Sequence, residues 1–126
     1  MNIVHVFSSE QVTGATVYAE ELGKAQQQAG HRVLSVSDSC EWGDDHCMIP
    51  VSKRNLLQRF RNILHLSRFL RSKTVDIVHS HSRAANWISH FAAKRAGAAH
   101  VVTAHQRFRV GPSYKWLPCF GKQTIA

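Results

Sequence analysis

Residues 75–104 read VDIVHSHSRAANWISHFAAKRAGAAHVVTA, and this stretch decides the fold. Residues 75–79 are apolar and β-branched at alternate positions, as a buried strand requires. Residues 84–96 read as a helix, and Gly97 is a natural helix stop. Residues 99–104 are again short, apolar and β-branched. Strand, helix and strand over about 30 residues predict a βαβ unit.

Working outward, the N-terminal part repeats the scheme. Residues 2–7 (NIVHVF) predict a strand, residues 15–29 a helix closed by Gly30, and residues 32–36 a second strand. Residues 37–46 are polar and read as a loop, and residues 47–51 as a short edge strand interrupted by Pro50. Residues 55–72 are the longest helical candidate. Leu56, Leu57, Phe60, Ile63, Leu64 and Leu70 form its apolar stripe, widened by Leu66 and Phe69, and the stripe is expected to pack on the sheet. The alternation predicts a doubly wound parallel α/β sheet over residues 1–126. Residues 106–118 read as a basic, aromatic loop and 124–126 as the start of another strand, so the domain reads as cut short.

With 126 residues, 44% of them hydrophobic and 19% charged, the composition is that of one globular domain. No apolar stretch reaches the ~20 residues of a membrane span. The absence of a basic n-region and the three cysteines, Cys40, Cys47 and Cys119, point to a cytoplasmic protein with reduced thiols. The charge is lopsided. Residues 1–50 carry seven acids and two bases, whereas residues 51–126 carry fourteen bases and Asp76 as their single acid. Such asymmetry predicts a surface that meets an anion. The absence of a groove-reading motif argues against nucleic acid.

In an open α/β sheet, ligands bind beyond the carboxyl ends of the strands. Gly14, His81, Ser82, Arg83, His105, Arg107 and Arg109 arrive there. Gly14 precedes a helix N-terminus, where free N–H groups favour a phosphate; it reads equally well as an ordinary turn glycine. His105 closes an apolar strand beside a basic loop and reads either as a group that stabilises charge or as a strand cap. His79 and His81 alternate onto one face, and with His105 they raise a three-histidine metal reading, outweighed by a packed or hydrogen-bonded role for His79; no bound metal is expected. Cys40 and Cys47 flank His46, but no fourth ligand stands at zinc spacing. The 53–73 region has seven bases and no acid. Arg59, Arg61 and Arg68 are its candidate contacts with an anionic membrane or acceptor.

Several stretches together resemble one family. NIVHVF followed by a glycine loop, Ala29-Gly30-His31-Arg32-Val33, Asp76-Ile77-Val78-His79-Ser80-His81-Ser82-Arg83-Ala84-Ala85, Val101-Val102-Thr103-Ala104-His105 and Gly121-Lys122-Gln123-Thr124-Ile125-Ala126 are similar, in this order, to the N-terminal half of family-4 glycosyltransferases. The resemblance covers nearly the whole chain. It implies a Rossmann-like acceptor-side domain of a GT-B enzyme, which moves sugar from a nucleotide-sugar donor, usually with retention and without metal or other cofactor. It matches Gly14 to the loop at the donor phosphates, His105 to the active-site histidine, and His81, Ser82, Arg83 and Arg107 to acceptor contacts. The HSHSRAA stretch resembles bacterial envelope-polysaccharide or lipopolysaccharide transferases, with a saccharide or lipid-linked acceptor at the inner face of the cytoplasmic membrane. Thr13 stands where the family often has the first glycine of a pair. The donor-binding domain and its E-x7-E motif are missing, so the 126-residue chain is expected to be inactive alone and prone to self-association.

Overall fold

The computed structural model describes residues 1–8, 14–38, 43–51, 55–103 and 124–125, with side chains except at 14–16 and 124–125. The elements run β1 (Asn2–Val6), α1 (Gly14–Gln28), β2 (Arg32–Ser37), β3 (Asp45–Met48), α2 (Leu56–Ser72), β4 (Ile77–Ser80), α3 (Arg83–Ala96), β5 (Ala99–Thr103) and β6 (Thr124–Ile125). The sheet order is β3-β2-β1-β4-β5-β6 and every pairing is parallel. This is the Rossmann-like, doubly wound order, and the chain reverses its direction of travel between β1 and β4. The fold read from the sequence is therefore the fold observed. Some boundaries move: β3 runs Asp45–Met48, starting inside the segment expected to be loop, because that edge strand pairs with β2 from Leu34 to Ser37, and β4 begins at Ile77.

Side-chain alternation divides the strands between two unlike faces. Val4, Val6, Leu34, Val36 and Val78 point to α2 and α3, where they join Leu66, Leu70, Ala85, Ile88, Ala92 and Ala93 in one dry core. Burying each large aliphatic side chain there contributes roughly 1.5–3 kcal/mol. The opposite face lies under α1 and is far more polar. His5, Ser35, Ser37, His79 and Thr103 are buried on it.

The helices end where local chemistry stops them. Asn55 caps α2 by accepting a hydrogen bond from the Leu57 amide (2.9 Å). Ser82 caps α3 by accepting one from the Ala85 amide (3.2 Å), and Gly97 ends that helix at φ +74°. An ion pair of 2.5 Å between Lys73 and Asp45 ties the end of α2 to the edge strand.

The apolar stripe expected on α2 is corrected by the structure. Leu56, Leu57, Phe60 and Leu64 are exposed, and the buried row is Asn62, Leu66, Ser67 and Leu70, with Ile63 and Phe69 packed beside it. Residues 62, 66 and 70 follow one another at i+4, and so do 56, 60 and 64. An offset of two residues turns a helix by about 200°, so the two rows look nearly opposite ways. The polar members of the inner row are satisfied. Asn62 donates to the Pro50 carbonyl (3.0 Å) and accepts from Gln58 (3.0 Å), and Ser67 donates to the Leu64 carbonyl (2.9 Å).

Candidate functional site

The carboxyl ends of β1 and β4, at the reversal of strand order, carry a cluster of histidines. Register pairs His5 with His79, so both project from the same face, and His81 follows two residues later onto that face. The His81 amide donates to the Val6 carbonyl (3.0 Å), which extends the pairing of β4 with β1 and fixes where the His81 ring sits. The three rings cluster: His79 and His81 stack with centroids 4.2 Å apart, and the His5 centroid lies 5.1 Å from His81 and 5.2 Å from His79. All three are buried. Tyr18 of α1 closes over His81 edge-on at 5.8 Å.

The partners of His5 assign its protons. The Gln26 side-chain oxygen can only accept, so His5 Nε2–H donates to it (2.7 Å). Burial holds the His5 pKa below the usual histidine value, so the ring is neutral and its Nδ1 accepts. His81 Nε2–H therefore donates to His5 Nδ1, at 2.8 Å. His79 Nε2 bonds the Thr103 hydroxyl at 2.5 Å. The result is a hydrogen-bonded floor under α1 that holds His81 at the sheet edge. Nitrogens of the three rings lie within 4.8 Å of one another, the reach of a metal site. In the described structure these nitrogens are engaged in hydrogen bonds, His5 with His81 and Gln26, and His79 with Thr103.

On the other face, a second network begins at Ser80. Its hydroxyl donates to Asn86 Oδ1 (2.5 Å) and accepts from His100 Nε2 (2.7 Å). Burial, with His90 adding a smaller effect of the same sign, pushes the His100 pKa down to about 4.

The residues expected at the site fall into three groups. His81, Ser82 and Arg83 come together at the start of α3, with Arg83 exposed, Ser82 occupied as the helix cap and His81 beneath them. Gly14 is the first residue of α1 rather than the residue before it, so the helix begins one residue earlier than expected. His105, Arg107 and Arg109 lie outside the described residues. Sequence reasoning missed His5, Tyr18 and Gln26. His5 could have been found by pairing the first strand with the fourth. Tyr18 and Gln26 reach the cluster only because α1 crosses that face, which no spacing reveals.

The remaining candidates are placed apart from this edge. Arg59 lies over the Trp87 ring at 5.3 Å, whereas Arg61 and Arg68 are exposed on α2. His46 and Cys47 are consecutive on β3 and so face opposite ways. The Cys47 sulfur lies 3.7 Å from His65 Nε2, and burial pushes its thiol pKa up. Cys40 lies outside the described residues.

Solved structures share the fold. A glycosyltransferase from Rickettsia africae ESF-5 superposes with a TM-score of 0.77 at 23% identity, over 93% of this chain and 33% of that one. A lipopolysaccharide outer core galactosyltransferase, WaaB in its apo form, gives 0.57 at 13% identity, over 82% and 32%. A UDP-GlcNAc 2-epimerase from Methanocaldococcus jannaschii gives 0.61 at 7% identity, over 82% and 31%. The chain thus spans about a third of the length of these proteins. No curated protein matches in sequence. The sequence model of Glycosyltransferase Family 4 matches residues 12–123, nearly the whole chain, and the chain therefore belongs to glycosyltransferase family 4.

Proposed function

We propose that this chain is the acceptor-side domain of a GT-B glycosyltransferase that moves a sugar from a nucleotide-sugar donor to a saccharide or lipid-linked acceptor during cell-envelope glycan synthesis. The family match over residues 12–123 carries the reading. The polar carboxyl edge at the β1–β4 reversal supports it, because that is where an open α/β sheet binds ligands. In this reading the acceptor lies over His81, Ser82 and Arg83, with Arg107 completing the contact. The exposed Arg83 guanidinium meets acceptor hydroxyl or phosphate oxygens. His5 and Gln26 are positioning residues that hold the His81 ring. The α1 amide groups after Gly14 face the donor phosphates, which a second domain presents across the cleft. This reading assigns to His105 the stabilisation of charge near the anomeric carbon, where the bond to the acceptor oxygen forms as the bond to the diphosphate breaks, with net retention. The work is cytoplasmic, beside the inner face of the membrane, and needs no metal.

The test begins with an antibody raised against residues 1–126. Protein captured from source cells should run well above 14.2 kDa, leaving room for a donor domain of ~100–200 residues. It should also transfer labelled sugar from a panel of nucleotide sugars to envelope glycan extracts. A 14 kDa species that binds such ligands saturably without turnover would replace the proposal with a stand-alone anion-binding module. A larger species inactive on every donor would remove the sugar-transfer reading.

A further inference from the structure

The histidine cluster at the β1–β4 reversal carries the donor set of a transition-metal centre. His5, His79 and His81 are 0%, 4% and 2% exposed, and one nitrogen of each lies within 4.8 Å of the other two. The sequence alone weighs His79 and His81 with His105, whereas folding supplies His5 from 76 residues away. Each ring is held from behind. The sheet register sets His5 opposite His79, and the His81 amide donates to the Val6 carbonyl at 3.0 Å. His5 Nε2–H donates to Gln26 Oε1 at 2.7 Å, and His79 Nε2 bonds the Thr103 hydroxyl. Imidazoles that bind a metal almost always give their second ring N–H to an oxygen in this way, which orients the ring and fixes its tautomer. For His5 the result is that Nδ1 faces His81 Nε2, at 2.8 Å.

We infer that His5, His79 and His81 form a binding site for a zinc-class divalent cation, which takes the place of the hydrogen bond between His5 and His81. Among the described residues the group holds three imidazoles and no carboxylate, a set that suits zinc, cobalt or nickel, whereas magnesium and calcium prefer oxygen. His5 brings the Nδ1 lone pair that now accepts from His81. His81 gives up its Nε2 proton and takes one at Nδ1, so its ring stays neutral and no net proton is released. Zinc–nitrogen bonds of about 2.0–2.1 Å at tetrahedral angles set ligand nitrogens roughly 3.3 Å apart. The His5–His81 pair, at 2.8 Å, therefore opens by about half an ångström. Rings now tilted 21–33° from one another fan out by rotation about the terminal torsion, which is broad in histidine, while the β1–β4 register stays as it is. Three protein ligands leave a fourth position to water. Tyr18, which closes over His81 and is 40% exposed, marks the way in. The bound ion ties β1, β4 and, through Gln26, α1 into one unit. The inference goes beyond sugar transfer, in which the ion takes no part, and stands on the geometry of the three rings whether or not sugar is transferred.

The experiment adds cobalt(II), then zinc, to the chain purified without a histidine tag and stripped with chelator. Cobalt should bind once per chain and give the strong visible absorption of a four-coordinate centre, without a thiolate band in the near ultraviolet. Zinc should displace it, and at about 100 times its dissociation constant should raise the thermal midpoint by about 5 °C or more. His79→Gln and His81→Gln should each weaken cobalt binding about a hundredfold or more, and Gln26→Leu about tenfold. Gln26→Glu, which gives His5 a carboxylate partner, should tighten binding, a change that a merely structural role for Gln26 would not produce. Gln26 is only partly buried, so its two variants keep the test decisive if circular dichroism shows a histidine variant unfolded. Cys47→Ser with His65→Gln removes the separate thiol–imidazole pair and should leave binding unchanged. Absence of the visible band, a midpoint unmoved by zinc, or binding that survives in folded His79→Gln and His81→Gln overturns the inference. So does binding lost with Cys47→Ser and His65→Gln, which would assign the ion to that pair instead.

Discussion

Lowering the pH should destabilise this domain, with His100 as the residue that reports it. His100 is largely buried against Ser80, near His90, and its pKa is pushed from 6.5 down to about 4. The folded value lies below the unfolded one, so the unfolded chain binds the proton first. The contribution is complete above the unfolded pKa and drains away as pH falls through the window from 6.5 towards 4. Moving from about pH 7.5 to about pH 5 protonates His100 almost fully in the unfolded chain and barely in the folded one, which removes roughly 2 kcal/mol. Burial lowers the His5 pKa too, and its loss adds with the same sign. Urea unfolding followed by circular dichroism measures the effect, and 2 kcal/mol corresponds to a midpoint roughly 1 M lower. His100→Gln keeps a donor for Ser80 and removes the titration, so its stability should fall by about 2 kcal/mol less than wild type over the same interval. Equal losses in the two proteins would refute the reasoning and show that His100 accepts its proton in the folded state without penalty.

Other substitutions test the packing. Gly43 and Gly97 both have positive φ, +92° and +74°, but a Cβ at Gly43 would meet the Val33 carbonyl oxygen at 2.7 Å and one at Gly97 would meet nothing within 4 Å. Gly97→Ala should therefore lose only about 1 kcal/mol in urea titration, whereas Gly43→Ala should lose distinctly more, because the β2–β3 connection must shift as well. Leu66→Ala should lose about 2–5 kcal/mol, since the side chain is fully buried between α2 and the sheet. Leu57→Ala, on the exposed side of α2, should stay within about 0.5 kcal/mol of wild type, and comparable losses at the two positions would reject the observed orientation of α2.

The elements were legible because their signals are local. Gly97 after an alanine-rich segment, the β-branched residues of β1, β4 and β5, and the polar stretches between them mark strands and helices without knowledge of anything distant. Alternation of βαβ units then restricts the sheet to a parallel, doubly wound form. The orientation of α2 was not legible, because leucines and phenylalanines occupy two sectors of that helix. Periodicity alone cannot say which sector meets the sheet. Contacts with α3 and with the Pro50 carbonyl choose the one containing Asn62, Leu66 and Leu70, and leave the other to solvent.

The site divides along the same line. His81, Ser82 and Arg83 are adjacent in the chain at the end of a strand, so the sequence alone placed them at the ligand edge of the sheet. His5 joins them across 76 residues, through the register that sets it opposite His79. Gln26 and Tyr18 join through the path of α1 over that face. Whether a histidine is neutral, which nitrogen carries its proton and what it can donate depend on groups brought within a few ångströms by folding. By itself the sequence determined the order of the elements, the parallel sheet and the carboxyl edge at which His81, Ser82 and Arg83 stand, because backbone preferences and hydrophobic period are properties of neighbouring residues. Only the tertiary structure decided the histidine cluster, the half-buried His100 and the exposed ridge of α2, because each depends on the distance between residues far apart in the chain.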